Sequence, residues 1–132
     1  MSSAILLVED AATDEKLTLR VFKNSNLLNQ IVVARDGSEA LDCLFGKDPA
    51  NKPTELPMLV LLDLNLPTVS GFEVLRRVRA DERTKHLPIV ILTASKAEED
   101  IVNGYALGAN AYVRKPVAFS AFAEAARTLG LF

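Results

Sequence analysis

The chain has 132 residues with 15 Lys and Arg against 17 Asp and Glu, so its formal net charge at pH 7 is −2. Hydrophobic residues make up 49% of the chain and charged residues 24%, which predicts one globular domain with its own core. The small net charge, the lack of a membrane-spanning apolar run and the lack of a signal-peptide pattern predict a cytoplasmic protein that binds neither nucleic acid nor a membrane.

Five short apolar runs follow one another along the chain. They consist of Val, Ile and Leu without polar alternation, which is typical of strands buried on both faces. The fourth run begins at Pro88, a position where a strand tolerates proline. The predicted strands cover residues 4–8, 30–34, 58–62, 88–92 and 111–113.

Segments with helical periodicity separate these runs. They predict helices over residues 13–24, 38–45, 70–80, 96–107 and 118–129. Ser70 and Glu73 form a capping-box pattern at the start of the third helix, and Gly108 follows the fourth, where a helix-ending glycine belongs. The stretch "RRVRADERTK" (76–85) contains acids that offset its arginines, so we interpret it as a solvated helix face.

Cys43 is the single cysteine, which excludes an internal disulfide and a cysteine-based zinc site. It lies in the helical pattern "EALDCLF". This position predicts a small buried residue rather than a reactive thiol.

Five strand–helix pairs in a chain of this length predict an α/β fold, with a parallel sheet and helices on both of its faces. In such sheets the functional site lies beyond the carboxyl ends of the strands, where the strand order reverses. The residues that directly follow the strands are therefore the first candidates for a functional role.

Charged and hydroxyl side chains stand at the predicted carboxyl ends of the first, third, fourth and fifth strands. They are Glu9 and Asp10, Asp63, Thr93 and Lys115. If the first and third strands are neighbours, three acids converge, and two carboxylates about 4 Å apart repel by roughly 4 kcal/mol at an effective dielectric of about 20. An oxygen-only cluster suits Mg²⁺, and Thr93 and Lys115 are placed to hold the oxygens of a phosphoryl group on Asp63.

With these motifs the chain resembles the receiver domain of two-component response regulators, the CheY-like family. The matching stretches are "ILLVED" (5–10), "VARDGSEAL" (33–41), "LLDLNLPTVSGFEVLRRVR" (61–79), "LPIVILTAS" (87–95) and "GANAYVRKPV" (108–117). The resemblance implies a flavodoxin-like fold with a five-stranded parallel sheet in the order 2-1-3-4-5 and five helices on both faces. It also implies a single receiver domain over residues 1–132, without an output domain.

The resemblance further implies a role for each site residue. Asp63 would accept a phosphoryl group from a sensor histidine kinase or a phosphotransfer protein, while Thr93 and Lys115 contact the phosphoryl oxygens. The implied Mg²⁺ ligands are Glu9, Asp10, Asp63 and the backbone carbonyl of Asn65. Such a protein is a phosphoacceptor rather than an enzyme, beyond its own phosphorylation and dephosphorylation. The loop over 45–57 is similar to that of regulators associated with bacterial phytochromes, so a phytochrome is one candidate kinase.

Output and lifetime of the signal also follow from the resemblance. Thr93 and Tyr112 would form the conformational switch, Asn65 and Ser95 would tune dephosphorylation, and Lys115–Pro116 would be a cis peptide. Phosphorylation would alter contacts with a downstream protein. A homodimer through the face made by helix 96–107, the fifth strand and helix 118–129 stays open, because the core can use most of the apolar surface there. The apolar residues available to that face are Phe119, Phe122, Leu131 and Phe132.

Three other readings compete with a phosphorylated receiver. A phosphatase of the haloacid dehalogenase type needs a second acid two residues after its aspartate nucleophile, and Asn65 occupies that position. A flavin-binding module needs a phosphate loop after the first strand, where "EDAATDEK" is acidic. A receiver fold that acts as a scaffold without phosphorylation stays open, and a phosphodonor assay separates it from the leading interpretation.

Overall fold

The computed structural model describes residues 4–25, 29–48, 55–93, 103 and 105–130. Within these residues the strands form one five-stranded parallel sheet in the order β2-β1-β3-β4-β5, which confirms the predicted topology. The strands are β1 (Ile5–Val8), β2 (Ile31–Ala34), β3 (Leu59–Asp63), β4 (Ile89–Thr93) and β5 (Ala111–Arg114).

Four helices are complete in the described part of the chain, where the sequence predicts five. They are α1 (Ala12–Asn24), α2 (Gly37–Phe45), α3 (Gly71–Ala80) and α4 (Phe119–Thr128). The remaining predicted helix, 96–107, lies largely outside the described residues, although Asn103, Tyr105 and Ala106 are helical. None of the helices described is long and apolar enough to cross a membrane.

The sheet has an apolar core on each face, because side chains of successive strand residues point in opposite directions. One core packs against α2 and α3 and contains Leu6, Val8, Val60 and Leu62 of the central strands. The other packs against α1 and α4, whose Phe22 and Phe122 rings lie 4.7 Å apart between centroids. Burying one such aliphatic side chain contributes roughly 1.5–3 kcal/mol. The central strands are therefore a rigid base for the residues at their ends.

Two predictions about helix surfaces are wrong. Cys43 is exposed, because the buried side of α2 is formed by residues at helical spacing that do not include it. Arg79 is half-buried instead of solvated, although Arg76 and Arg77 of the same helix are exposed as predicted. Its hydrogen-bond acceptors are the backbone oxygens of Lys85, Leu87 and Gly108 and the side-chain oxygen of Asn110.

Candidate functional site

The carboxyl ends of β1 and β3 bring acidic side chains together. The register pairs Val8 with Leu62, so Glu9 follows β1 at the level where Asp63 ends β3. Glu9, Asp10 and Asp63 each offer a carboxylate oxygen, and these oxygens lie within 4.8 Å of one another. Glu9 and Asp63 are buried, whereas Asp10 is exposed. The cluster therefore has a buried floor and an open side.

Lys115 enters this cluster from the end of β5. Its Nζ lies 2.6 Å from Glu9 Oε1 and 2.8 Å from Asp63 Oδ2. The Lys115–Pro116 peptide bond is cis. A third carboxylate, that of Asp14 in the first turn of α1, lies 3.2 Å from the same nitrogen. The sequence pattern predicted no role for Asp14, and the one signal it offered was an acid in the first turn of a helix that starts at this edge of the sheet.

Burial and charge shift the pKa values of the two groups at the floor of the site. The pKa of Glu9 is raised to about 7, because burial and the neighbouring Asp63 raise it more than Lys115 lowers it. Burial lowers the pKa of Lys115, but its contacts with Asp63 and Glu9 outweigh burial and leave the pKa raised. One ammonium group thus lies among several carboxylates, so the cluster carries an excess of negative charge.

The chemistry of Glu9 gives a direct test of whether a cation fits. Its two carboxylate oxygens are buried and make no hydrogen bond within the described structure, although Oε1 is ion-paired with Lys115. A buried carboxylate in this state is costly unless further positive charge reaches it. Three carboxylates within reach of one point are ligands of the kind that hard divalent cations prefer. The residues present therefore fit a divalent cation.

The loop that follows Asp63 is held closely against the starts of two helices. Asn65 N–H donates a hydrogen bond to Asp63 Oδ1 at 3.1 Å. Gly71, the first residue of α3, approaches so closely that a Cβ there would lie 2.3 Å from the backbone oxygen of Asp63. Thr68 adopts a φ of 64° and its Oγ1 accepts a hydrogen bond from Ser38 N–H at the start of α2. These contacts fix the backbone at Asp63 and in the loop that follows it.

The structure describes only some of the residues predicted to form the switch or to tune dephosphorylation. Thr93 ends β4, next to β3 in the sheet, but its side chain lies outside the described part, as does all of Ser95. Tyr112 is 39% exposed, and its ring packs edge-to-face on Tyr105 with a centroid distance of 5.9 Å. The two rings border a cleft of about 430 Å³ between β5 and α4. The switch role of Tyr112 stays a prediction.

Part of the apolar surface assigned to a dimer face belongs to the core. Phe122 is buried and Phe119 is half-buried against the same apolar cluster. Leu131 and Phe132 lie outside the described residues. Within the described part of that face, Tyr105 and Tyr112 are therefore the exposed large apolar side chains.

The fold and the site together define an α/β protein with a charged cluster where the strand order reverses. Residues 5–127 match the response regulator receiver domain, and the chain belongs to this family. It is 39% identical over 112 residues to Response regulator Rcp1 of Synechocystis sp., which covers 84% of this chain and 75% of Rcp1. Receiver domains are signalling modules that take a phosphoryl group from a histidine kinase.

Solved structures agree with this assignment. The bacteriophytochrome response regulator AtBRR is 47% identical, with a TM-score of 0.88 over 100% of this chain and 95% of that chain. The Mn²⁺-bound form of Rcp1 is 34% identical, with a TM-score of 0.79 over 98% of this chain and 94% of that chain. The chain is thus similar to phytochrome-associated response regulators, as the 45–57 loop predicted, and one relative holds a divalent cation.

Proposed function

We propose that Asp63 accepts a phosphoryl group from a phosphohistidine and that this modification changes the protein contacts of the domain. The observation that carries the proposal is the buried Asp63 carboxylate with Lys115 Nζ at 2.8 Å. A carboxylate held at the end of a rigid strand beside a fixed ammonium is an oriented nucleophile with charge compensation at hand. The donor is a sensor histidine kinase, a phytochrome among them, or a phosphotransfer protein.

The transfer exchanges an N–P bond for an O–P bond and changes no oxidation state. A carboxylate oxygen of Asp63 attacks the phosphorus atom, an O–P bond forms, and the N–P bond of the phosphohistidine breaks. The imidazole, protonated on its other ring nitrogen, leaves with the electron pair as a neutral ring, and the product is an acyl phosphate on Asp63. Lys115 N–H groups compensate the charge on the phosphoryl oxygens, and Asn65 N–H orients the acceptor through its bond to Oδ1. The proposed enzymatic activity is limited to phosphorylation and dephosphorylation of the chain itself.

We assign the cation as Mg²⁺, held by Glu9, Asp10, Asp63 and the backbone carbonyl of Asn65. The support is the three-carboxylate cluster and the buried oxygens of Glu9, which make no hydrogen bond within the described residues and have Lys115 as their ion-pair partner. The Mn²⁺-bound form of the relative Rcp1 also supports it. When bound, Mg²⁺ supplies positive charge that offsets the carboxylates and attracts phosphoryl oxygens.

Downstream signalling is proposed to pass through the exposed face that carries Tyr112. Thr93 would follow the new phosphoryl oxygens and Tyr112 would turn inward, which changes the surface offered to a partner protein or to a second copy of the chain. Asn65 and Ser95 would set the lifetime of the acyl phosphate. The receiver domain would act through contact with a partner protein.

Intact mass after incubation with phosphoramidate, with and without Mg²⁺, tests the central step. We expect wild type to gain the mass of one phosphoryl group in a Mg²⁺-dependent way, and Asp63→Asn to gain none. Asp42→Asn, an equal substitution on α2 outside the acidic cluster, is the matched control and should be labelled like wild type. A folded wild-type protein that gains no phosphoryl group would contradict the proposal and favour a scaffold that works without phosphorylation.

A further inference from the structure

Lys115 has more carboxylate partners than the proposed reaction uses. Its ammonium group carries three N–H donors, and the described residues place three carboxylates within 3.2 Å of the nitrogen. The side chains of Glu9 and Asp63 are 0% and 6% exposed, whereas that of Asp14 is 39% exposed. Asp14 therefore approaches the ammonium from the solvent side of the site.

The three carboxylate partners of Lys115 differ in whether they also belong to the acidic cluster that can hold a cation. Glu9 and Asp63 belong to the acidic cluster that can hold a cation, while Asp14 is outside that cluster as far as the described residues show. A bound cation would draw on the oxygens of Glu9 and Asp63, and a phosphoryl group would occupy an oxygen of Asp63. Among the three described partners of Lys115, Asp14 is the one that would bind neither the cation nor the phosphoryl group.

We infer that Asp14 is a positioning residue, which holds the Lys115 ammonium at the acceptor while cation and phosphoryl group occupy the other carboxylates. The inference rests on the proposed function and extends it to a residue on α1. A lysine side chain has about 2 kcal/mol of rotamer entropy, so a free Lys115 would sample positions away from the reacting oxygens. An ammonium that is already in place needs no reorganisation during transfer.

The position of Asp14 on α1 suits this role better than a role in stability. The helix is anchored in the core by Phe22, and its first turn lies beside the site. Ion pairs at exposed carboxylates contribute little to stability, with a median near 0–1 kcal/mol. The next residue, Glu15, forms its own ion pair with Arg35 and does not share Lys115 among the contacts described. Glu15 therefore offers a matched control on the same helix.

The test is the rate of phosphorylation of the full chain at increasing phosphoramidate concentration and saturating Mg²⁺. For Asp14→Asn we expect the limiting rate constant to fall about five- to tenfold, because the fixed ammonium acts in the chemical step. The half-saturating donor concentration should stay within about twofold, because only the positioning of Lys115 is altered. Affinity for Mg²⁺ by calorimetry, a readout independent of activity, should also stay within about twofold of wild type.

Two further variants decide between positioning and a general loss of charge. Asp14→Glu keeps the carboxylate and should recover most of the limiting rate, while Glu15→Gln removes one charge from the same turn and should leave the rate unchanged. An unchanged or increased limiting rate in Asp14→Asn overturns the inference, and so does an equal loss in Glu15→Gln. If wild type itself gains no phosphoryl group, the proposed function fails, which is a separate result.

Discussion

Two partly buried cations lie at opposite ends of the sheet, and they are surrounded differently. Lys115 lies at the carboxyl end, where the described residues give it charged partners. Arg79 lies at the other end, next to the starts of β4 and β5, and donates to neutral backbone and amide oxygens. Asn110, one of these partners, also accepts a hydrogen bond from Ile89 N–H at the start of β4.

The pKa shifts of the two cations have opposite signs. Burial lowers the pKa of Arg79, because carbonyl oxygens satisfy its donors without compensating its charge. Burial also lowers the pKa of Lys115, but Asp63 and Glu9 outweigh it and the pKa is raised. The Arg79 end is a network of hydrogen bonds that joins α3 to the starts of two strands. The Lys115 end keeps surplus negative charge, which makes it the end that can take up a cation and a phosphoryl group.

The largest expected effect is the loss of either cation. Arg79→Met leaves several acceptors unpaired, and we expect the free energy of unfolding to fall by about 3–4 kcal/mol whether or not Mg²⁺ is present. Lys115→Met leaves Glu9 and Asp63 without their counter-charge, and we expect a loss of about 3 kcal/mol that Mg²⁺ largely reverses. Urea unfolding with Mg²⁺ or with EDTA measures both. If Mg²⁺ changes the free energy of unfolding equally in the two variants, the proposed difference between the two ends of the sheet is contradicted.

The same contrast explains how much could be predicted from the sequence. Glu9, Asp63 and Lys115 were predictable as neighbours because each lies at the carboxyl end of an apolar strand, and parallel strands end at one edge of the sheet. The balance of acids and arginines in residues 76–85 assigned Arg79 to a solvated face, because counting charges does not show how far a long side chain reaches.

Asp14 and Cys43 show two further limits of the sequence. Contact between Asp14 and Lys115 joins positions 101 residues apart, and no spacing rule connects a helix turn to a particular lysine at that separation. Cys43 lies in a helical pattern with apolar neighbours, but the direction of the buried side depends on how α2 packs on the sheet, and that packing leaves Cys43 exposed. Both depend on tertiary geometry.

The second prediction is that the free energy of unfolding depends on pH through Glu9, which lies at the Lys115 end of the sheet. The pKa of Glu9 is raised from 4.5 to about 7 in the folded protein, so between these values the folded state holds a proton that the unfolded chain has released. The contribution of Glu9 to the free energy of unfolding is therefore largest below pH 4.5, and it falls as the pH rises to 7. At about 1.4 kcal/mol per pKa unit, the full contribution is about 3 kcal/mol.

Urea unfolding in EDTA across this pH interval measures the contribution of Glu9. Glu9→Gln cannot titrate and should lack this fall in stability, while Arg79→Met should keep it. Glu73, whose pKa is lowered to about 2 chiefly by Arg76, titrates below the interval. If wild type and Glu9→Gln show the same dependence on pH, Glu9 does not carry the raised pKa.

The third prediction is stabilisation by the cation. A ligand that binds only the folded state adds about 2.7 kcal/mol at a concentration of 100 times its Kd, and we expect Mg²⁺ to raise the midpoint of thermal unfolding accordingly. Asp10→Asn should remove most of this gain while changing the metal-free stability little, since Asp10 is exposed. Titration with MgCl₂ against NaCl at matched ionic strength separates binding from screening. A gain that survives in Asp10→Asn would exclude Asp10 as a ligand.

The smallest expected effects come from two backbone positions, one at each end of the sheet. Gly108 has a φ of +93°, and a Cβ there would lie 3.0 Å from Arg79 Nε; Gly108→Ala should therefore cost about 1–2 kcal/mol. Thr68, in the loop after Asp63, has a φ of 64° despite its branched side chain. Thr68→Asn keeps an acceptor for Ser38 N–H and tolerates this φ better, so we expect a gain of about 0.5 kcal/mol.

Urea unfolding measures both effects. If Thr68→Asn raises the free energy of unfolding and Gly108→Ala lowers it, backbone strain is concentrated beside Asp63 and absent beside Arg79. Thr68→Ser is the matched control, because it removes the branch, keeps the hydroxyl acceptor and still favours a negative φ. It should therefore leave stability within about 0.5 kcal/mol of wild type. A loss of stability in Thr68→Asn would mean that the contact between this loop and α2 outweighs the strain at Thr68. The acceptor loop would then be held as tightly as the Arg79 network.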